Sequence, residues 1–196
     1  VREALKKKGW AAWSCDLLPT EISENHIQDD VLKHLNDGWD LMIAHPPCTY
    51  LSVAGLHWNA KRPGRSVLTE QALDFVKELL EAPIPRIALE DPVGCVNSQV
   101  RKPDQIINPW QFGHHERKRT YLWLKHLPLL VPTKIVEPEK PAFIDRSGKA
   151  RYFVDRQPPS PDRWMIRSRT FPGIAGAMAQ QWTDHILTAR ESPRIG

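Results

Sequence analysis

The chain has 196 residues, 41% hydrophobic and 26% charged, with three cysteines and a net charge of +4. These figures suit one globular domain with its own core and exclude a disulfide scaffold or a disordered chain. The apolar runs are strand-sized and no signal peptide is visible, so no membrane association is expected, and three unpatterned cysteines suit a reducing, cytoplasmic setting. The charge is divided: 10 Lys/Arg against 14 Asp/Glu over residues 1–100, and 17 against 9 over residues 101–196. A basic second half fits a polyanionic partner or, equally, a solvated basic face.

In chain order, residues 2–8 read as a short amphipathic helix stopped by Gly9. Residues 10–15 (WAAWSC) are apolar and aromatic, as in a buried strand. Residues 29–37 predict a helix with Asp at its start and Gly38 after it. Residues 39–45 (WDLMIAH) predict a second buried strand, closed by Pro46-Pro47. Residues 50–65 read as a loop able to close over a substrate. Over 66–82, Leu68, Ala72, Phe75, Val76 and Leu79 recur at helical spacing, and Pro83 ends the run. Strands follow at 86–90 and 120–124, then a Pro-rich, basic stretch over 133–168 and a last helix over 172–189. Strands alternating with helices imply a doubly wound α/β fold, a mostly parallel sheet with helices on both faces. The expected division is a Rossmann-like core over 1–125, a basic recognition lobe over 126–168, and a terminal helix, 169–196, returning to the core.

Ligands of such sheets sit beyond the carboxyl ends of the strands, which here carry Cys15-Asp16, His45-Pro46-Pro47-Cys48 and Glu90-Asp91-Pro92. Asp16 can accept both hydroxyls of a ribose, or simply cap a turn. Asp30 can accept an adenine amino hydrogen, or serve as a helix N-terminal charge. Two prolines fix the backbone and present Cys48, whose thiol suits addition to an electron-poor pyrimidine. The plain alternative is a buried cysteine acting as a small hydrophobe. Glu90, with a raised pKa, could protonate a ring nitrogen and make the adjacent carbon attackable; its plain alternative is a salt bridge at a sheet edge. The cysteines are not spaced as zinc ligands, and no metal is expected.

In these segments, taken together and in order, the chain resembles the cytosine carbon-5 DNA methyltransferase family, particularly its small phage and bacterial members. WSCDLLP resembles the segment whose acid holds the cofactor ribose (Asp16, with Leu17), and HIQDDV the segment whose acid holds the adenine (Asp30, with Val31). HPPCTYLS resembles the Pro-Cys nucleophile motif (Pro47, Cys48), and ALEDPVG the Glu-Asn-Val motif (Glu90), with Asp91 where the family usually has Asn. FGHHERKRTYLWL resembles the arginine motif and its following strand, with Lys118 at the first arginine and Thr120 at the second. FPGIAGAMAQQWTDHIL resembles the last helix, with Ile174 as an apolar cofactor contact.

The resemblance implies S-adenosylmethionine as cofactor, a covalent Cys48 adduct, and cytosine in DNA as substrate. The family's opening strand and glycine-rich turn have no counterpart here; they precede Val1, or cofactor binding is weakened. The short recognition segment implies low sequence specificity, or a single-stranded or flipped base. Arg117, Arg119, Arg151, Arg156 and Arg163, interleaved with Tyr152, Phe153 and Trp164, would contact the DNA. Two alternatives stay open: transfer of another group to carbon 5 of a pyrimidine or nucleotide, and a catalytically inactive DNA-binding relative.

Overall fold

The computed structural model describes residues 1–22, 24–152 and 168–191. In chain order its elements are α1 (Arg2–Lys6), β1 (Ser14–Asp16), β2 (His26–Gln28), a 3-10 turn (Val31–His34), β3 (Met42–Ala44), α2 (Val53–Leu56) and α3 (Arg65–Glu81). There follow β4 (Ile87–Pro92), α4 (Val96–Gln99), β5 (Gln105–Ile107), a second 3-10 turn (Pro109–Gln111), β6 (Thr120–Lys125), β7 (Phe143–Ile144), β8 (Ala150–Arg151) and α5 (Pro172–Glu191). Contacts group the chain into two compact units, one of residues 11–106 with 120–129, the other of 1–10, 107–119 and 130–196. A division by chain order at 125 and 168 groups the residues differently, because residues 1–10 and 107–119 fall with 130–196 rather than with 11–106.

The first unit contains a parallel pair, β1 with β2, in the register Ser14↔His26, Cys15↔Ile27, Asp16↔Gln28. Its larger sheet has the order β3-β4-β6-β5. Strand β3 runs parallel to β4, whereas β4 and β6 are antiparallel from Ile87↔Lys125 to Pro92↔Thr120. The fold is therefore mixed α/β with small sheets, and the expected mostly parallel sheet is not what forms. The longest pairing is the antiparallel one, since Thr120–Lys125 buries four consecutive residues between its neighbours.

Helix α3 covers this sheet with Thr69, Leu73, Val76 and Leu79 turned inward. They pack with Leu51, Leu89, Val96, Tyr121 and Trp123 into one core. The buried stripe is rotated from the expected one: Leu68 is exposed, while Thr69 is buried because its hydroxyl bonds the Tyr50 carbonyl (3.1 Å). Gly64, at φ +75°, begins the helix in the left-handed region, where a side chain is strained. Ala82 is extended ahead of Pro83, as a residue before proline must be.

In the second unit, α5 buries Ile174, Met178, Trp182 and Ile186, spaced four apart, with Ala175, Ala179 and Thr183 beside them. Helix α1 lies against it: Lys8 bonds the Gln180 side chain, and the Arg190 guanidinium sits 5.8 Å from the Trp10 ring. The expected start of α1 and its stop at Gly9 (φ 82°) hold, with the Trp10 amide bonding back to the Leu5 carbonyl at 3.2 Å. Strands β7 and β8 make a small antiparallel hairpin.

Candidate active site

Ala44 of β3 pairs with Leu89 of β4, so the next residues along the two parallel strands, His45 and Glu90, stand level. Their side chains meet, with His45 Nδ1 2.7 Å from Glu90 Oε2. Pro46 is buried and Pro47 exposed; lacking amide hydrogens, both end the ladder. The chain then turns, the amides of Leu51 and Ser52 both donating to the Cys48 carbonyl (3.2 and 2.9 Å). Cys48 itself is exposed, so its thiol is not a core hydrophobe.

The segment after Cys48 is laced to the segment after Glu90. The Val53 amide donates to the Val93 carbonyl (3.0 Å), and the Cys95 amide to the Leu51 carbonyl (2.9 Å). Gly94 allows this approach: a β-carbon there would lie 2.0 Å from the Leu51 oxygen. Gly55 is equally constrained, 2.0 Å from the Thr49 oxygen. Arg65 adds a further tie, donating from Nη2 to the Thr49 carbonyl (2.9 Å), with its guanidinium 4.7 Å from the Tyr50 ring. The stretch expected as a plain loop over 50–65 thus contains α2 and is fixed at several points.

The electrostatics of the two strand ends differ by face. The His45 side chain is 40% exposed and that of Glu90 only 12%, so the carboxyl is largely desolvated where it meets the imidazole. Asp91, the next residue on β4, turns to the opposite face and is 1% exposed. Burial, and secondarily the Glu90 charge, pushes its pKa up to about 8. Neither of its carboxyl oxygens has a hydrogen-bond partner among the described residues. Burial likewise pushes the nearby Cys95 thiol up.

Asp16 and Asp30 lie at the carboxyl ends of β1 and β2. Asp16 is exposed and accepts from the Leu18 amide through Oδ1 (2.9 Å). Asp30 caps the Val31–His34 turn, accepting from the Leu32 amide through Oδ1 (3.0 Å). The helix expected over 29–37 is only this short 3-10 turn. Each aspartate therefore does the capping task and keeps its second oxygen unbonded among the described residues. Cys15 lies among these acids: its thiol contacts the Asp29 carbonyl (3.4 Å), and burial first, then the acid charges, raise its pKa. Asp29 is bonded by Lys33, which draws its carboxyl down to about 2. Leu17 is exposed, and Val31 packs partly against the core.

The remaining expected site residues belong to the second unit. Arg117 is engaged with Glu139, its amide bonding Oε1 (2.9 Å) and its Nε the backbone carbonyl (3.1 Å), and it lies 5.5 Å from the Tyr152 ring. Arg151 is ion-paired with Asp145 at 2.6 Å, whose carboxyl is held low by the Ser147 hydroxyl first and by Arg151 further down. Lys118 is half-buried and Arg119 exposed. Ile174 is buried, 3% exposed. The FGHHE and FPG segments do come together: the Gly173 amide donates to His114 Nε2 (2.9 Å), and a β-carbon on Gly173 would lie 1.8 Å from the Phe112 oxygen. Arg156, Arg163, Phe153 and Trp164 lie outside the described residues.

Sequence reasoning passed over His45 as a side chain with a task, and over Asp91 as a buried acid. The alternation of β4 was the available signal: if Glu90 faces a cleft, Asp91 must face the core. Among the described residues, no group of three or more His, Cys, Asp or Glu side chains is arranged to hold a metal ion, and no helix is long and apolar enough to cross a membrane. Compared with models of known protein families and with curated proteins, the chain matches none.

Proposed function

We propose that the protein is a Rossmann-like transferase that methylates carbon 5 of cytosine in DNA through a Cys48 adduct. One observation carries the reading: an exposed thiol in the turn after β3, three residues beyond the His45 that stands level with the half-buried Glu90 carboxyl on the neighbouring parallel strand. A thiolate supplies the electron pair for a bond to carbon 6, and Glu90 offers the proton that draws electrons toward the ring nitrogen. Carbon 5 is then the nucleophile. After carbon 5 has taken the methyl group, a solvent base removes its proton, the C5–H pair re-forms the ring double bond, and sulfur departs as thiolate.

S-adenosylmethionine is the proposed cofactor, supplying an electrophilic methyl group. The open second oxygens of Asp16 and Asp30 fit a ribose hydroxyl and an adenine amine. Leu17, Val31 and Pro47 are proposed apolar neighbours of the cofactor. Arg119 is proposed at the DNA backbone with Arg117 and Arg151.

The test incubates the protein with labelled methyl donor and single- or double-stranded cytosine-containing DNA, followed by mass spectrometry of the bases. Methyl on carbon 5 is expected, abolished in Cys48→Ser and reduced by about two to four powers of ten in Glu90→Gln. DNA with 5-fluorocytosine should become covalently attached to Cys48. Methyl on an exocyclic amine, or transfer that survives Cys48→Ser, overturns the reading.

A further inference from the structure

We infer that His45 is the proton-holding partner of Glu90: it orients the carboxyl toward the pyrimidine and restocks the proton that the ring nitrogen takes up. The inference rests on the reading of Cys48 and Glu90 above and adds a residue to it.

Three features of the pair set it apart from a surface ion pair, which ordinarily contributes little. The 2.7 Å separation is that of a charge-assisted bond. Glu90 is 12% exposed, so its oxygen exchanges water for imidazole rather than gaining both. The backbone also presets the pair, because Ala44↔Leu89 brings His45 level with Glu90 without any help from side-chain flexibility. The imidazole uses Nδ1 for the carboxyl, and its Nε2 has no partner among the described residues. It can therefore exchange protons with solvent while holding Glu90 still.

The proton balance closes. Sulfur gives the electron pair of the new S–C6 bond, and the C5–C6 π pair becomes available at carbon 5. The ring nitrogen takes a proton from the Glu90 carboxyl, which takes one from His45 Nδ1, leaving neutral imidazole. Once carbon 5 carries the methyl group, a solvent base takes the carbon-5 proton, the C5–H pair re-forms the C5–C6 π bond, the S–C6 pair returns to sulfur as thiolate, the ring nitrogen releases its proton to Glu90, and His45 is recharged. The titratable neighbours are Glu90 on β4, Cys48 on the same turn, and Asp91 across the sheet, whose carboxyl stays protonated at neutral pH.

His45→Asn separates the two tasks. An Asn amide can donate from the position of Nδ1 but cannot carry a proton. Methyl transfer by wild type and variant is measured across pH on a cytosine-containing single strand. The expected result is a fall of about 10- to 100-fold in kcat, with KM within about 2-fold, and loss of the imidazole limb of the pH profile. A variant profile that superimposes on the wild-type profile overturns the role of His45 alone. A wild type that transfers nothing to cytosine overturns the proposed function, and the ring-proton role with it. A second readout needs no turnover: in nitrogen-15 spectra, the His45 Nδ1 resonance should move in Glu90→Gln. An unmoved resonance means that the pair does not form in solution, which also overturns the inference.

Discussion

Asp91 is a buried acid that works against stability at neutral pH. Its carboxyl is buried without a hydrogen bond among the described residues and stays protonated up to about pH 8 in the folded protein, while in the unfolded chain it ionises near its ordinary value. The unfolded state then holds fewer protons, so this group's contribution to stability is full below about pH 4, declines as pH rises toward 8, and is flat beyond. The maximal slope is about 1.4 kcal/mol per pH unit. Asp91→Asn keeps the shape and removes the ionisation. Urea denaturation across this pH window should show a more stable variant at neutral pH with a shallower pH dependence; parallel curves would exclude Asp91 as the source.

At the scale of elements, glycine marks the places where backbone meets backbone. Gly94→Ala puts a methyl group against the Leu51 carbonyl and should destabilise the protein by about 1–3 kcal/mol, as overpacking does, with the turn carrying Cys48 displaced. Gly176, inside α5, has nothing within 4 Å of its added β-carbon, and Gly176→Ala should instead stabilise by about 1 kcal/mol. Denaturant midpoints of the two variants check both signs.

The same scale shows what the sequence made legible. Helix α3 and strands β4 and β6 were readable because their apolar patterns are long or bounded by proline. Strands β2, β5, β7 and β8 have two or three residues each, too few for a period, and are specified by partners distant in sequence. For the candidate site, Cys48 and Glu90 were visible as strand-end residues. The His45 contact was not, because it depends on the β3–β4 register, which no local signal encodes.

Across the whole molecule, the basic second half is less available than its composition suggests. Arg117 and Arg151, expected to meet DNA, are engaged by Glu139 and Asp145, while Arg119 is exposed with no hydrogen-bond or ion-pair partner among the described residues. Binding of a labelled single strand should weaken with salt, and Arg119→Ala should reduce the log–log slope by about 0.7, the loss of one phosphate contact. Arg151→Ala should change that slope less, since its charge is already neutralised within the β7–β8 hairpin. Equal effects from both variants would mean that Asp145 releases Arg151 on binding.

The cross-stitching of Leu51–Val53 with Val93–Cys95 makes two stretches forty residues apart in sequence into a single mechanical plate. Deuterium should therefore enter the Val53 and Cys95 amides at one shared rate, set by the opening of the plate rather than by either segment alone. Thiol and carboxyl would then drift together in thermal motion, and their spacing would survive fluctuations that carry both.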